Sequence, residues 1–473
     1  MKNQIEQLIS YFPGDYVEAA VQHKMVNSFS LLNGKGDGTD FSGTKTSARV
    51  TLYRGGQRLH LPIREINGRI SFSDLKDKIF NSHFDNKFDV YYNKNGFQRL
   101  QKKSKNILRD KEAFYLTKCK LPFNSINNNT KREIFADRLI KCDRCKPSFV
   151  DLIIFYQDSM TETCYYNSNN FYHNRVDSMI EFSGFLKYER KLYPIFSHNE
   201  MAGLEVLVDY VFGNGFEEKI EMIKVFKNAW ATKIKSGIYN VILDPTLGAG
   251  LIHEAFGHTC EADISFSKNV KGRRELFAKF RNEDITIADD PTIAEKGFVY
   301  IDDEGVMAKK KYLVEKGVLK SCMHSIFTAT NNNSEVMGNG RTSDASQIPI
   351  PRMTNTYIEP KNISLTEMFS SLDNGLYLKG NIGGGKTNGR KFSLNVEQGY
   401  IVKKGKITGS PISNLVIKGD CFATINNIVK IGNDLTFVKG FGGCSKKGQN
   451  NLPVSGGSPH LMVKNVFVTH VES

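Results

Sequence analysis

The chain has 473 residues, a formal net charge of +14 and eight cysteines, enough length for two or three domains and a sizeable core. Eight cysteines spread over that length exclude a disulfide scaffold. The N-terminal MKNQIEQLIS has no apolar leader region, and no window approaches the roughly 20 apolar residues of a membrane helix, so a soluble, cytoplasmic protein with no membrane partner is expected. The positive charge raises nucleic acid as a partner. The lysines are scattered, however, and the densest basic run, QRLQKKSKN at 98–106, has no recognition motif around it, so a solvated basic face is the reading.

In chain order, residues 1–12 read as an amphipathic helix closed by Pro13 and Gly14. YVEAAVQ (16–22) and TKTSARVTLY (44–53) are strand-like and flank the glycine-rich NGKGDGTDFSG. Short helices are expected over 74–82, with Ser73 as N-cap, and over 131–144; strands are expected at 149–156 and 176–192. A helix over 216–236 leads into an apolar strand, YNVILDP (239–245), which Pro245 stops and after which Asp244 or Thr246 could cap the next helix. Beyond about 297 the pattern is strand-rich, with Glu-Lys-Gly, Lys-Lys-Gly and Asn-Asp turns marking antiparallel hairpins. The expected fold class is α+β: an N-terminal mixed helix/sheet domain (1–215), then a largely antiparallel, β-rich domain (216–473) containing the helix with the motif below.

That motif is LIHEAFGHTCEAD, residues 251–263. His253 and His258 are one residue too far apart for the usual H-E-x-x-H pattern. On a regular α-helix, five residues place two side chains roughly 140° apart, too divergent to share an ion. Widening toward π-helical geometry would bring them together, and Gly257 leaves room for it. Two imidazoles and a third ligand would leave zinc an open position, with Glu254 placed to take a proton from water. Alternatively, both histidines are core residues and Glu254 sits on the rim. For a third ligand, spacing alone leaves Cys260, Glu261, Asp263, His324, Cys444 and His460 open. Cys444 lies in the glycine-rich KGFGGCSKKGQ and suits zinc as a thiolate.

Beyond this motif, the chain resembles the TldD/PmbA family of metallopeptidases, in particular its TldD-like catalytic branch. The resemblance continues through FVYIDDEG (298–305), VEKGVLKSCM (314–323), GNGR (338–341) and PRMTNTYIEP (351–360). It also takes in NIGGGKTNGRKFSLNVEQGYIVKKGKI (381–407) and GFGGCSKKGQNNLPVSGG (440–457), and so covers about 239–465. The first 210 residues fit the family's N-terminal domain in outline, and FSHNEMAGLEVL carries fewer glycines than that family's corresponding region. The resemblance implies metal ligation by His253, His258 and Cys444, with Glu254 as general base. It also implies one Zn2+ per catalytic subunit and hydrolysis of peptide bonds in unstructured peptides, which enter the cleft as an added strand. The implied assembly is a homodimer or a heterodimer with a TldE/PmbA-like subunit.

Other motifs are weighed beside it. Arg341, Asn355 and Tyr357 are candidate substrate-binding residues, and Gly383 to Gly385 read as turns or a cleft wall because GGGK lacks the phosphate-loop pattern. Cys142 and Cys145 could join Cys119 and Cys164 in a structural zinc site, although their spacing is irregular. Asp302, Asp303 and Glu304 read as a solvated hairpin turn. The competing functions are a noncatalytic scaffold or partner subunit of the same assembly, a nucleic-acid-binding gyrase modulator, and a metal amidase with a nonpeptide substrate.

Overall fold

The computed structural model describes residues 16–36, 39–54, 57–66, 88–91, 113–116, 119–145, 151–188, 191–207, 234–265, 279–412, 415–440 and 443–470, together with Glu6, Ile9 and Ser10. The expected helix at 74–82, the one at 216–236 up to residue 233, most of the one at 1–12, the basic run at 98–106 and the domain boundary near 215 lie outside the described residues; 234–236 are not helical.

The N-terminal part is built on a large, mostly antiparallel sheet. Its centre is Tyr16–Leu32, paired with Phe41–Arg54 on one side and Asp151–Asn167 on the other. Asp151–Asn167 and Phe171–Tyr188 form a hairpin in which the first strand runs far beyond the expected 149–156 and the second begins five residues before the expected 176. The extra length carries polar cross-strand neighbours, such as His23 opposite Glu162 and Lys24 opposite Thr161. These pairs hold a strand where apolar alternation is absent. The helix Asn128–Cys145 seals one end of the sheet by setting Phe135, fully buried, against Phe29, Tyr156 and Phe182.

The second half contains a seven-stranded sheet whose pairing closes on itself. Gly237–Leu243 runs parallel to Asn374–Asn388 on one side and antiparallel to Leu461–His470 on the other. The remaining links run through Lys391–Lys403 and Leu415–Asp420. A further six-stranded sheet includes Ile287–Asp289, Asn355–Ile358 and Ser455–Ser458. The protein is thus an α+β fold whose sheet-rich second half carries the helix over 245–260. Among the described residues, no helix is long and apolar enough to cross a membrane.

Asp302, Asp303 and Glu304 correct an expectation. They are 1%, 7% and 3% exposed, not solvated. The Asp302 carboxylate accepts from the backbone N–H groups of Glu304, Val306 and Gly340, and Asp303 accepts from Thr342 N and Arg175. The turn is buried because the N-terminal sheet packs on it: Arg49 donates to Asp303 O and Tyr165 donates to Glu304 O. A three-acid run satisfied by backbone donors is compatible with burial, which composition alone does not reveal.

Candidate metal centre

Asp244, at the end of the strand Gly237–Leu243, caps the next helix by accepting from Leu247 N at 2.9 Å, and Pro245 occupies the first turn without losing a needed donor. The helix buries Leu247, Leu251, Ile252, Ala255 and Phe256 in the core of the second half. Such anchoring fixes its rotation and leaves His253 and Glu254 half-buried outside that core. Over Ile252–Gly257 it widens into a π-turn, and His258 N donates to His253 O across five residues. The widening is what the five-residue spacing demands. The imidazoles then stand edge to face with centroids 4.9 Å apart. Gly257 has a second reason to lack a side chain, since a Cβ there would lie 2.2 Å from Met353 Sδ.

Cys444 arrives from the far end of the chain, at the start of the short strand Cys444–Lys446. Its Sγ lies 3.4 Å from His258 Nε2, and the donor atoms of His253, His258 and Cys444 all lie within 4.8 Å of one another. Donors around a tetrahedral zinc sit about 3.3–3.8 Å apart for bonds of about 2.0–2.3 Å. The cluster is therefore slightly open relative to that geometry, and its two nitrogens and one sulfur suit the ion.

The electrostatics favour a ligating thiolate. Burial alone would raise the Cys444 thiol, but the neighbouring His253 and His258 draw its pKa down to about 5. Burial would likewise discharge His258, yet Glu261 and Cys444 push its pKa well above the ordinary histidine range. The His258 and Cys444 shifts share one attraction and count once. Glu261 is fully buried and accepts from His258 Nδ1 at 2.8 Å, so that in the neutral ring Nε2, on the side of Cys444, is the nitrogen free to ligate a metal. Lys446 stands 3.0 Å from the same carboxylate and Arg352 3.9 Å. Against its burial, Lys446, His258 and Arg352 hold Glu261 at about 2.

Glu254 follows the first histidine and faces the strand Asn374–Asn388, where the Thr387 hydroxyl donates to its carboxylate at 2.6 Å. Neither Thr387 nor Lys446 carried a sequence signal. Glu261 did, three residues beyond His258, and it lies behind that imidazole as its hydrogen-bond acceptor. Asp263 pairs with Lys446 and Lys447, His324 faces Thr328, and His460 lies between Asp434 and Tyr377. Cys260 is buried in the core. None of these four joins the donor cluster.

The three candidate substrate residues lie elsewhere and are all buried. Arg341 donates to the carbonyls of Met353 and Pro453. Asn355 bridges Gly297 N and the carbonyls of Asp290 and Ile293, and Tyr357 packs against Phe437. The side chains of Cys142 and Cys145 lie outside the described residues, while Cys164 contacts Asn174 and Tyr172.

Residues 236–470 match the PmbA/TldA metallopeptidase C-terminal domain. A metalloprotease of Archaeoglobus fulgidus is 39% identical over 272 residues, 56% of this chain and 60% of that protein. A zinc metalloprotease TldD homolog of Saccharolobus solfataricus is 34% identical over 236 residues, 50% of this chain and 52% of the relative. The chain thus spans about half to three-fifths of the length of these relatives. Two solved structures share the fold over nearly the whole chain. A Thermotoga maritima protein described as a modulator of a DNA gyrase has a TM-score of 0.73 at 18% identity, covering 99% of this chain and 100% of that one. TldE from Thermococcus kodakarensis has a TM-score of 0.67 at 15% identity, covering 98% and 100%.

Proposed function

This is a metalloprotease-like protein of the TldD/PmbA family, and from that premise we propose that it is a zinc-dependent peptidase cleaving unstructured peptides or unfolded segments, with Glu254 as general base. The observation that carries the reading is the meeting of His253, His258 and Cys444 across a π-widened turn. Those three residues would hold the ion. Bound there, zinc supplies Lewis acidity toward water and toward the scissile carbonyl.

The chain's own residues account for the rest. Glu261 holds His258 in the tautomer that presents Nε2. The Glu254 carboxylate takes the proton of the attacking water and returns it to the departing amine. Among the described residues, the far half of Asn374–Asn388, next to Glu254, pairs with Lys391–Lys403 on one side, and Gly237–Leu243 reaches that strand only at Leu376–Leu378 on the other. An extended peptide laid along that edge would be read through its backbone, which favours unstructured substrates over folded ones. A homodimer or a heterodimer with a TldE-like subunit is the proposed assembly.

The test is Glu254→Gln, with zinc content and hydrolysis of an unstructured peptide pool measured on one preparation. Metal content should stay near parental while turnover falls on the order of 100- to 10,000-fold. Parental cleavage with full metal content would remove Glu254 from the role. Loss of metal in proportion to activity would make it a ligand instead.

A further inference from the structure

Glu254 sits on the widened turn Ile252–Gly257, and its side chain meets the strand Asn374–Asn388. Its pairing with Lys391–Lys403 slips between Asn381 and Gly385, and Gly384 within the slip has φ +77°. A slip of this kind resets which residues of a strand face its neighbour. Beyond it, Gly385 and Thr387 lie two apart and therefore share a face. That face meets Glu254. A Cβ at Gly385 would lie 2.6 Å from Glu254 Cγ and 3.0 Å from Cδ, so the glutamate stem rests on bare backbone.

Thr387 completes the cradle. Its Oγ1 lies 2.6 Å from Glu254 Oε2 and 2.8 Å from the Glu254 carbonyl oxygen. The hydroxyl has one proton, and an ionised carboxylate can only accept. A separation of 2.6 Å falls within the range of charge-assisted O–H···O bonds, so the proton belongs with the carboxylate. Among the described residues, Oε2 takes this bond and Oε1 accepts none. One oxygen is held and the other is left to work.

We propose that Thr387 is a positioning residue for Glu254: with Gly385 it fixes the carboxylate so that Oε1 is presented to the reacting water. The inference rests on Glu254 being the general base, and it extends the site to a strand more than a hundred residues away in sequence.

The experiment compares Thr387→Val, Thr387→Ser, Gly385→Ala and Glu254→Gln for kcat, KM and zinc content, with a crystal structure of Thr387→Val. Valine keeps the shape and removes the donor. Its kcat should fall roughly 10- to 100-fold, the effect expected for losing a hydrogen bond to a charged group, with KM and zinc content unchanged. Serine should recover kcat to within about threefold, because it restores the donor. In the valine structure the Glu254 carboxylate should leave its position while the π-turn is retained. Gly385→Ala should lower kcat in the same way through displacement of the glutamate. Parental kcat in Thr387→Val beside an impaired Glu254→Gln would overturn the positioning role alone. Parental kcat in Glu254→Gln would overturn the general-base reading and this inference with it. Zinc loss in Thr387→Val, or no recovery with serine, would make Thr387 a structural residue.

Discussion

Replacing Glu261 with Gln tests how the ligand set is held. The carboxylate is fully buried and bonded to His258 Nδ1, with Lys446 and Arg352 as its cationic neighbours. Holding it at about 2 instead of the ordinary 4.5 corresponds to about 3 kcal/mol favouring the charged form in the folded state. The stability carried by this depressed pKa is present above 4.5 and is lost as pH falls through about 2. Glutamine keeps an oxygen for the His258 N–H but removes the charge that Lys446 and Arg352 face. Lys446 retains Asp263 at 2.6 Å, whereas Arg352 is left with Gln449 and the Cys444 carbonyl. The expected loss is therefore about 2–4 kcal/mol of unfolding free energy, in the range for breaking a buried ion pair on one side. Zinc affinity should also fall about 10- to 100-fold, because the acceptor behind a ligating imidazole tunes its basicity and aim. Urea denaturation of the metal-free protein gives the first quantity, and zinc titration against a chromophoric chelator gives the second. Parental values in both would refute this account of how His258 is held.

Glu18 is buried at the junction with the Asp302–Glu304 turn, and burial, with Arg49 and Arg58 opposing it, raises its carboxyl to about 7 from 4.5. The folded state then binds more protons than the unfolded chain between those values, so stability falls as pH rises from 4.5 to about 7. Glu18→Gln should flatten that decline by up to about 3 kcal/mol in urea denaturation at pH 5 and pH 8; an unchanged slope would contradict it. Gly257→Ala should destabilise the fold by about 1–3 kcal/mol, because its Cβ would run into Met353 Sδ. It should weaken zinc binding as well, and parental stability with parental affinity would show that the π-turn tolerates a side chain.

Much of the site was legible because covalent spacing constrains it. The five-residue separation of His253 and His258 leaves little choice but a widened turn if they are to meet, and Asp244-Pro245 announces where that helix begins. Cys444 was one of several candidates by spacing, since a residue that joins the cluster from a distant loop leaves no local periodicity; the resemblance, and not the pattern, singled it out. Thr387 was invisible because its role depends on a strand slip that carries no side-chain signal beyond a run of glycines. The acidic turn at 302–304 was misjudged for a related reason: its satisfying donors are backbone N–H groups and its cover is an arginine from another sheet. In the N-terminal half, strand ends were set by polar cross-strand partners, which alternation of apolar residues does not report.

Hydrolysis as proposed requires His253, His258 and Cys444 to hold a zinc ion. Zinc-edge X-ray absorption on the metal-loaded protein and on Cys444→Ser tests it most directly. The parental spectrum should show nitrogen or oxygen neighbours at about 2.0–2.1 Å and one sulfur at about 2.3 Å, and the sulfur shell should vanish in the serine variant. A parental spectrum without sulfur, or a sulfur shell that survives the substitution, would contradict the assignment.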